Sequence, residues 1–246
     1  MPTIFGPWAT DLVSLAAPQP GERILDVACG TGAVARVAAR MIGADGTVTG
    51  LDLNPGMLNI ARGHDLQGTV QWREGSAQAM PFPDEVFTLV LCQQGMQYFP
   101  DRAAALREMQ RVLASDGRLV LSVWRAVERT PGFLVLGQAL ARHISPEAGV
   151  LPPFALGDAA GLAAEVTAAG FGDVATQTAS RLLCYASSEE FVRTYLISTP
   201  LADLLAQVDE ARRTALLADV NSALQPFIDS NGLAFPIESQ IIMARK

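Results

Sequence analysis

Residues Arg23–Ala35 read R-I-L-D-V-A-C-G-T-G-A-V-A, and no other stretch restricts the fold as much. Ile24, Leu25 and Val27 form a short apolar run of the kind that makes a strand buried on both faces. The run passes through Asp26-Val27-Ala28-Cys29-Gly30-Thr31-Gly32 into a helix-periodic segment, Ala33–Ile42. A strand, a turn of small residues and a helix start together form a nucleotide-type site. The small residues let a ligand approach the backbone, and the helix start offers unpaired N–H groups. A tight strand-to-helix connection without a ligand has the same pattern, and this stretch alone leaves both open.

The rest of the chain supplies the context. A leading helix is expected over Pro7–Ala17, with Phe5 and Trp8 as its aromatic face, covering a ligand mouth or serving as a packing arm. Thr47–Asp52 reads as a second strand, followed by a helix capped by Asn54 with Pro55 at its first position. Val70–Glu74 is a third strand, and Val86–Cys92 a continuous apolar run suited to a central parallel strand. Asp101 caps an amphipathic helix through Leu113, and Leu119–Val123 is a fifth strand after the Ser115-Asp116-Gly117 turn. Strand and helix alternate five times in about a hundred residues. This predicts an α/β fold: a doubly wound, mostly parallel, Rossmann-like sheet with right-handed crossovers.

After Trp124 the alternation loosens. A helix is expected over Phe133–His143, another from an Asp158 cap to Gly170, a strand over Val174–Tyr185 and helical structure over 187–228 with a break near Pro200. Phe235–Ala244 closes the chain as a strand. The expected organisation is one domain over 1–246. Its cofactor-binding core spans about 20–125, and helical cap insertions at about 125–156 and 187–233 project over the sheet's C-terminal edge.

Composition removes several classes. The net charge of −7 disfavours sequence-independent attraction to nucleic acid or an anionic membrane. Arg107, Arg111 and Arg118 lie near one another in sequence and read as solvating the outer face of their helix and its exit. Lys246 is the only lysine. That excludes a Schiff-base lysine, a P-loop lysine and a Tyr-Lys hydride-transfer pair within the body of the chain. Cys29, Cys92 and Cys184 are too dispersed, and His64 and His143 too few, for a disulfide framework or a metal cluster. No metal is expected. Apolar runs are too short for a stable membrane-spanning helix, and the first residues lack a signal-peptide pattern, so a cytoplasmic location is expected.

Asp52 ends the second strand 26 residues after Asp26. An acid there in a doubly wound fold accepts hydrogen bonds from ribose hydroxyls. The two features together suit an adenosine-bearing ligand, with Asp26 near its far end and able to meet a cationic group.

I-L-D-V-A-C-G-T-G (24–32), L-D-L-N-P-G-M-L (51–58) and E-G-S-A-Q-A-M-P-F-P-D (74–84) resemble successive motifs of the class I S-adenosylmethionine-dependent methyltransferases. The resemblance is to the type 11, ubiquinone/menaquinone-methyltransferase-like branch. C-Q-Q-G-M-Q-Y-F-P-D (92–101) and R-E-M-Q-R-V-L-A-S-D-G-R (107–118) continue it. It implies a seven-stranded sheet with an antiparallel last strand, with S-adenosyl-L-methionine as cofactor and S-adenosyl-L-homocysteine as product. It further implies that the Ala28, Gly30, Thr31 and Gly32 turn passes under the methionine and ribose, with Asp26 toward the amino group. Asp52 would hold the ribose hydroxyls, Leu53 and Met57 would pack on the adenine, and Ser76 and Ala77 would meet its edge. Backbone at Cys92 and Gln93 would contact the methionine amine. Ala28 stands where relatives often carry glycine, which narrows the turn. Ser76 stands where many carry aspartate, a stronger acceptor.

Methyl transfer from a sulfonium is a direct displacement, helped by a base when the acceptor is an alcohol or phenol. His143 is the candidate base, although a helix-end histidine is also the ordinary surface residue; Glu128 has similar standing. Gln94, Gln97, Tyr98, Trp124 and Trp8 are the candidate acceptor pocket. Leu134, Leu136, Phe154, Phe191, Tyr195 and Leu196 line either that pocket or a plain core. The expected partner is a small, apolar or aromatic methyl acceptor, not nucleic acid, and self-association into a homodimer stays open. Two rivals remain: an NAD(P)-dependent oxidoreductase and a non-catalytic nucleotide-binding protein of the same fold.

Overall fold

The computed structural model describes residues 2–157, 159–197 and 208–246. Asp158 and Pro200, the expected cap and helix break, lie outside the described residues. Two compact units divide the chain: Met1–Val123, Asp158–Thr178 and Gln240–Lys246 form the first, and Trp124–Gly157 with Ala179–Ser239 the second.

The sheet begins with β1 (Arg23–Val27), β2 (Thr47–Asp52) and β3 (Val70–Glu74), and continues through β4 (Phe87–Gln93) and β5 (Leu113–Trp124). β1 lies between β2 and β4 in parallel, Asp26 facing Gly50 on one side and Leu91 on the other. Ile24, Leu25, Val27, Leu89, Val90, Leu91 and Cys92 are fully buried, as a double-covered central pair requires. β6 (Gly172–Tyr185), the two-residue β7 (Ile228–Asp229) and β8 (Gly232–Arg245) complete the order β3-β2-β1-β4-β5-β8-β6, with β7 pairing β8 in a hairpin. β8 runs antiparallel to β5. The Arg125 N–H donates to the Glu238 carbonyl and the Lys246 N–H to the Gly117 carbonyl, so one strand ascends as the other descends.

The helices are α1 (Pro2–Ala16), α2 (Ala33–Ile42), α3 (Pro55–His64), α4 (Arg102–Val112), α5 (Pro131–His143), α6 (Ala159–Ala168), α7 (Ser188–Ile197) and α8 (Glu210–Leu224). Two boundaries differ from expectation by five residues or more. α1 starts five residues early and contains Pro7, which removes one internal N–H donor without ending the helix. β5 starts at Leu113, not Leu119. Phe87 faces Leu113 and Leu89 faces Arg118, so the Ser115–Gly117 turn is a bulge inside the strand.

Two arginines expected to solvate a helix face instead hold the first unit together. Arg118 donates to both Glu22 carboxylate oxygens, at 2.6 and 2.9 Å, and to the Ala16 carbonyl, fastening the end of α1 beside β1 and β5. Arg111 donates to Glu108, Asp84 and the Met80 and Phe82 carbonyls, pinning the 80–84 loop to α4. Bidentate guanidinium geometry at half-buried positions gives these contacts more weight than ordinary surface pairs.

The second unit has its own aromatic core. Phe133 of α5 packs against Phe154, Phe191 and Tyr195 at centroid distances of 5.1, 5.3 and 5.4 Å, and Phe191 meets Phe235 at 5.0 Å. Phe154, Phe191, Tyr195 and Leu136 are buried, so among described residues they do core work. Gly132 is required for this packing, because a Cβ there would collide with the Phe235 ring.

Candidate functional site

The carboxyl ends of β1, β2 and β4 bring the motif residues together within the first unit. At the β1 exit the backbone takes three left-handed steps: Ala28 (φ 55), Gly30 (φ 53) and Gly32 (φ 79). Ala28 therefore does more than narrow the turn. It holds a conformation that ordinarily favours glycine, at a cost of ~1–2 kcal/mol that the surrounding contacts must offset. Those contacts include the Cys29 N–H to the Leu51 carbonyl at 3.0 Å and the Gly32 N–H to the Cys29 carbonyl at 2.8 Å.

The two glycines are needed for different reasons. A Cβ on Gly30 would meet nothing within 4 Å, so this face of the turn is open to a ligand. A Cβ on Gly32 would lie 2.9 Å from Cζ3 of Trp72 and closer still to the ring edge. Trp72 on β3 also crowds Gly50 and donates its indole N–H to Asp65 at 3.3 Å. Spacing analysis missed this tryptophan; its only sequence signal is a large aromatic on a strand beside a glycine-bearing one.

Asp26 is 1% exposed, and its Oδ2 accepts from the Ala35 N–H near the start of α2 at 2.9 Å. Burial, reinforced by the nearby Asp52 charge and opposed by the Ala35 bond, pushes its carboxyl up to about 8. The Cys29 and Cys92 thiols beside it are also raised by burial, Cys92 to about 12, which keeps both protonated and unreactive.

Asp52 has a structural task that the motif alone did not indicate. Its Oδ2 accepts from the Gly30 N–H at 2.8 Å and its Oδ1 from the Asn54 N–H at 2.9 Å, so it ties the β1 turn to the β2 exit. Asn54 caps α3 as expected, accepting from the Gly56 and Met57 N–H groups. Leu53 and Met57 are 70% and 41% exposed, an apolar surface immediately after the carboxylate. Ser76 Oγ accepts from the Gln78 N–H at 3.1 Å, and Ala77 is buried beside it.

The β4 exit packs directly on the β1 turn. A Cβ on Gly95 would lie 2.8 Å from the Ala28 Cβ and 2.9 Å from Cys92 Sγ. Cys92 is fully buried, and Gln94 is buried with φ 56 and donates its backbone N–H to the Ser122 carbonyl. The Gln97 amide nitrogen donates to Gln94 Oε1 at 3.3 Å. Tyr98 is 58% exposed.

An adenosine-bearing cofactor fits these residues: an open backbone turn at Gly30, a carboxylate with further acceptor capacity at Asp52, and exposed Leu53 and Met57 on the same strand exit. Residues 25–121 match the family model described as a methyltransferase domain. This segment is a class I methyltransferase domain.

The curated relatives of the methyltransferase domain agree. The chain is 36% identical over 118 residues to the ubiquinone/menaquinone biosynthesis C-methyltransferase UbiE of Teredinibacter turnerae, covering 46% of this chain and 47% of that one. It is 34% identical over 145 residues to the demethylmenaquinone methyltransferase of Listeria monocytogenes, covering 58% and 61%. The aligned parts thus span roughly half to three-fifths of these relatives' length. Among solved structures, the YcgJ protein from Bacillus subtilis shares the fold at TM-score 0.66 and 19% identity, covering 97% of this chain and 98% of that one. Haemonchus contortus phosphoethanolamine N-methyltransferase 2, solved with S-adenosylhomocysteine, shares it at 0.61 and 19%, covering 98% and 52%. Class I methyltransferase domains use S-adenosylmethionine, the cofactor expected from the motifs.

Other expected site residues lie elsewhere. Trp8 is 3% exposed within α1, a core residue of the first unit and not an open aromatic face. Trp124, Glu128 and His143 belong to the second unit: Trp124 is buried, and Glu128 is exposed on the Val127–Arg129 turn. His143 ends α5 with Nε2 2.7 Å from Oδ2 of Asp219 on α8, which Arg142 also reaches at 2.6 Å. The His143 hydrogen bond, then Arg142, hold the Asp219 carboxyl below its ordinary range. Asp219, which spacing did not single out, thus gives His143 the partner that the sequence left invisible. Among the described residues no group of three or more His, Cys, Asp and Glu is placed to hold a metal ion, and no helix is long and apolar enough to cross a membrane.

Proposed function

We propose that the chain transfers a methyl group from S-adenosylmethionine to a small, apolar or aromatic acceptor by direct displacement. The observation that carries this reading is the β1 exit, where Gly30 leaves the turn open while Asp52 fixes its backbone at 2.8 Å. S-adenosylmethionine, when bound, supplies an electrophilic sulfonium methyl. The chain's own residues bind and orient. Asp52 has carboxylate lone pairs left for ribose hydroxyls after its two backbone bonds. Leu53 and Met57 offer apolar surface to the adenine, with Ser76 and Ala77 at its edge. Asp26, buried and held near neutrality, favours a cationic group arriving beside it, since a cation stabilises its ionised form. Backbone at Cys92 and Gln93 closes the amine end. Buried small residues around the turn exclude water from the reacting centre.

His143 is the base in this proposal. With Nε2 donating to Asp219, Nδ1 is left to take a proton from a hydroxyl acceptor. Glu128 is the second candidate. Gln94, Gln97, Tyr98 and Trp124 are assigned to the acceptor side, and the place of action is the cytoplasm. Trp8 is withdrawn from that set because it is core. Nucleic acid is a poor acceptor for a chain of net charge −7.

Calorimetric titration with S-adenosylhomocysteine and with NAD tests the cofactor. Micromolar binding of the first alone is expected, and the reverse pattern sinks the proposal in favour of an oxidoreductase. A methyl-donor turnover assay across phenols, quinols and amines tests catalysis. Tight cofactor binding with no turnover across the panel would leave a nucleotide-binding protein that has kept the fold.

A further inference from the structure

The sheet ends in two different edges. β3, first in the order β3-β2-β1-β4-β5-β8-β6, is five residues long and carries Arg73 and Glu74, charges that discourage pairing with another strand. β6, last in that order, runs fourteen residues with β8 on one side and no described strand on the other. Asp173 is exposed, as is every residue from Ala175 to Leu182 except the half-buried Ala179. This stretch therefore stays open to water. An open edge displays a row of backbone N–H and C=O groups that can pair with a further strand. Between Val174 and Ser180 the sequence V-A-T-Q-T-A-S has no charge and no proline, the residues that ordinarily blunt such an edge.

The stretch also matches itself. A-T-Q-T-A (175–179) reads the same in both directions about Gln177. Two copies laid antiparallel about a two-fold axis at Gln177 set Ala175 opposite Ala179 of the second copy, and Thr176 opposite Thr178 of the second copy. The Thr178 hydroxyl donates to Gln240 Oε1 at 3.3 Å, so its lone pairs are left for that threonine neighbour. The same axis brings Asp173 against Arg181 of the second copy, and by symmetry Arg181 against Asp173 of the second copy. Asp173 has φ 48, so the regular ladder begins at Val174 and the carboxylate stands at its corner, a diagonal that a long arginine side chain spans. Slipping the pair by one residue would lose both ion pairs. Polar strands exposed on both faces specify register weakly, and these flanking charges specify it here.

We propose that β6 pairs antiparallel with β6 of a second copy about a two-fold axis at Gln177, joining two chains through one continuous sheet. Each copy offers the same patch to the other, so the assembly closes at a dimer. Both strands are already ordered within their own sheets, and the contact is small, which places the dissociation constant at ~1–100 µM. The proposal stands or falls independently of the methyl-transfer reading.

Sedimentation equilibrium on the full chain tests it. The mass should rise from 26.1 kDa towards twice that value as concentration passes through ~1–100 µM. Gln177→Lys sets like charges face to face on the axis and should weaken the dimer at least ~10-fold. Asp173→Lys and Arg181→Glu should each weaken it about as much, and the two combined should restore it to within ~3-fold of wild type. Circular dichroism at the lowest concentration checks that each variant keeps the fold. Should Arg181→Glu fail to fold, Gln177→Lys and Asp173→Lys carry the test, both at exposed positions. A wild-type chain that stays at 26.1 kDa throughout overturns the proposal and leaves the edge to water or to an unrelated partner. A dimer indifferent to Gln177→Lys and Asp173→Lys lies on another surface and overturns it equally. Growth beyond two copies would mean that β6 meets a different edge, such as β3, and would refute the two-fold axis. Weakening by both single charge variants without recovery in the folded double variant would reject the register.

Discussion

Gly30→Ala and Gly32→Ala should separate the two roles of the glycine turn. Both residues have positive φ, 53° and 79°, so each alanine has the same backbone strain of ~1–2 kcal/mol. Gly30→Ala adds nothing further, because its Cβ points into space free of protein atoms to 4 Å. The expected loss of stability is therefore ~1–2 kcal/mol, while S-adenosylhomocysteine affinity should fall at least ~10-fold as the methyl takes up ligand space. Gly32→Ala drives its Cβ into the Trp72 ring, inside 3 Å of two ring carbons. Overpacking adds ~1–3 kcal/mol, and moving the ring also breaks its Asp65 hydrogen bond, for a total of ~3–5 kcal/mol. Urea denaturation gives the stabilities and calorimetry the affinities. The control is Trp72→Leu in each background. It should ease Gly32→Ala by ~1–2 kcal/mol and leave Gly30→Ala additive within ~0.5 kcal/mol. Equal stability losses for the two alanines, or wild-type ligand affinity in Gly30→Ala, would refute the division.

Three further outcomes follow from the same geometry. Asp52→Ala should weaken S-adenosylhomocysteine binding by ~1.5–3 kcal/mol, since it removes an ionised acceptor and releases the Gly30 N–H; unchanged affinity in a folded variant by calorimetry would mean that the motif is misassigned. Asp26 keeps its proton to about pH 8 in the fold but only to the ordinary carboxylate range when unfolded. The folded state therefore holds the extra proton between these limits, and ligand-free stability falls as pH rises, by at most ~1.4 kcal/mol per unit. Asp26→Asn should flatten that dependence in denaturation curves from pH 5 to 8, and parallel curves for the two proteins would contradict it. His143→Asn should lower turnover of a hydroxyl acceptor by ~10²–10⁴-fold, with S-adenosylhomocysteine affinity unchanged. Wild-type turnover in the folded variant would reduce His143 to a tie between α5 and α8.

How far the fold could be read in advance varies with the interaction that decides each part. β1, β2, β4 and β5 announce themselves because each carries a buried run, and burial on both faces leaves a signal in composition, whereas β3 is a polar strand with only Val70 buried. The bulge in β5 does not. Ser115-Asp116-Gly117 is a turn by local chemistry, yet Leu113 still finds Phe87 across the sheet, and only that tertiary pairing reveals that the strand has begun. Arg111 and Arg118 mislead for the same reason. An arginine's place in a sequence does not tell whether its guanidinium faces water or the Glu22 carboxylate and the Ala16 carbonyl.

The site divides along a similar line. Glycine and aspartate spacing locates the turn, because few residue types tolerate φ near 55° or end a strand with a carboxylate. The same spacing cannot say which partner makes a residue necessary. Gly32 is required by Trp72, forty residues away, and Asp52 is held by the Gly30 N–H before any ligand is considered. A motif thus combines contacts to the chain with contacts to the cofactor, and variants of its members will not all report on binding. Ala28 makes the point most sharply. It adopts φ 55 where glycine would be unstrained, and its Cβ lies where the β4 exit passes at Gly95. Its methyl fills space between the two exits that glycine would leave empty. Ala28→Gly should therefore relieve backbone strain and loosen that packing at once, two effects of opposite sign that leave net stability within ~1 kcal/mol of wild type. Urea denaturation decides it: a clear stabilisation would mean that the packing carries nothing, and a loss of several kcal/mol that the strain is already relieved elsewhere.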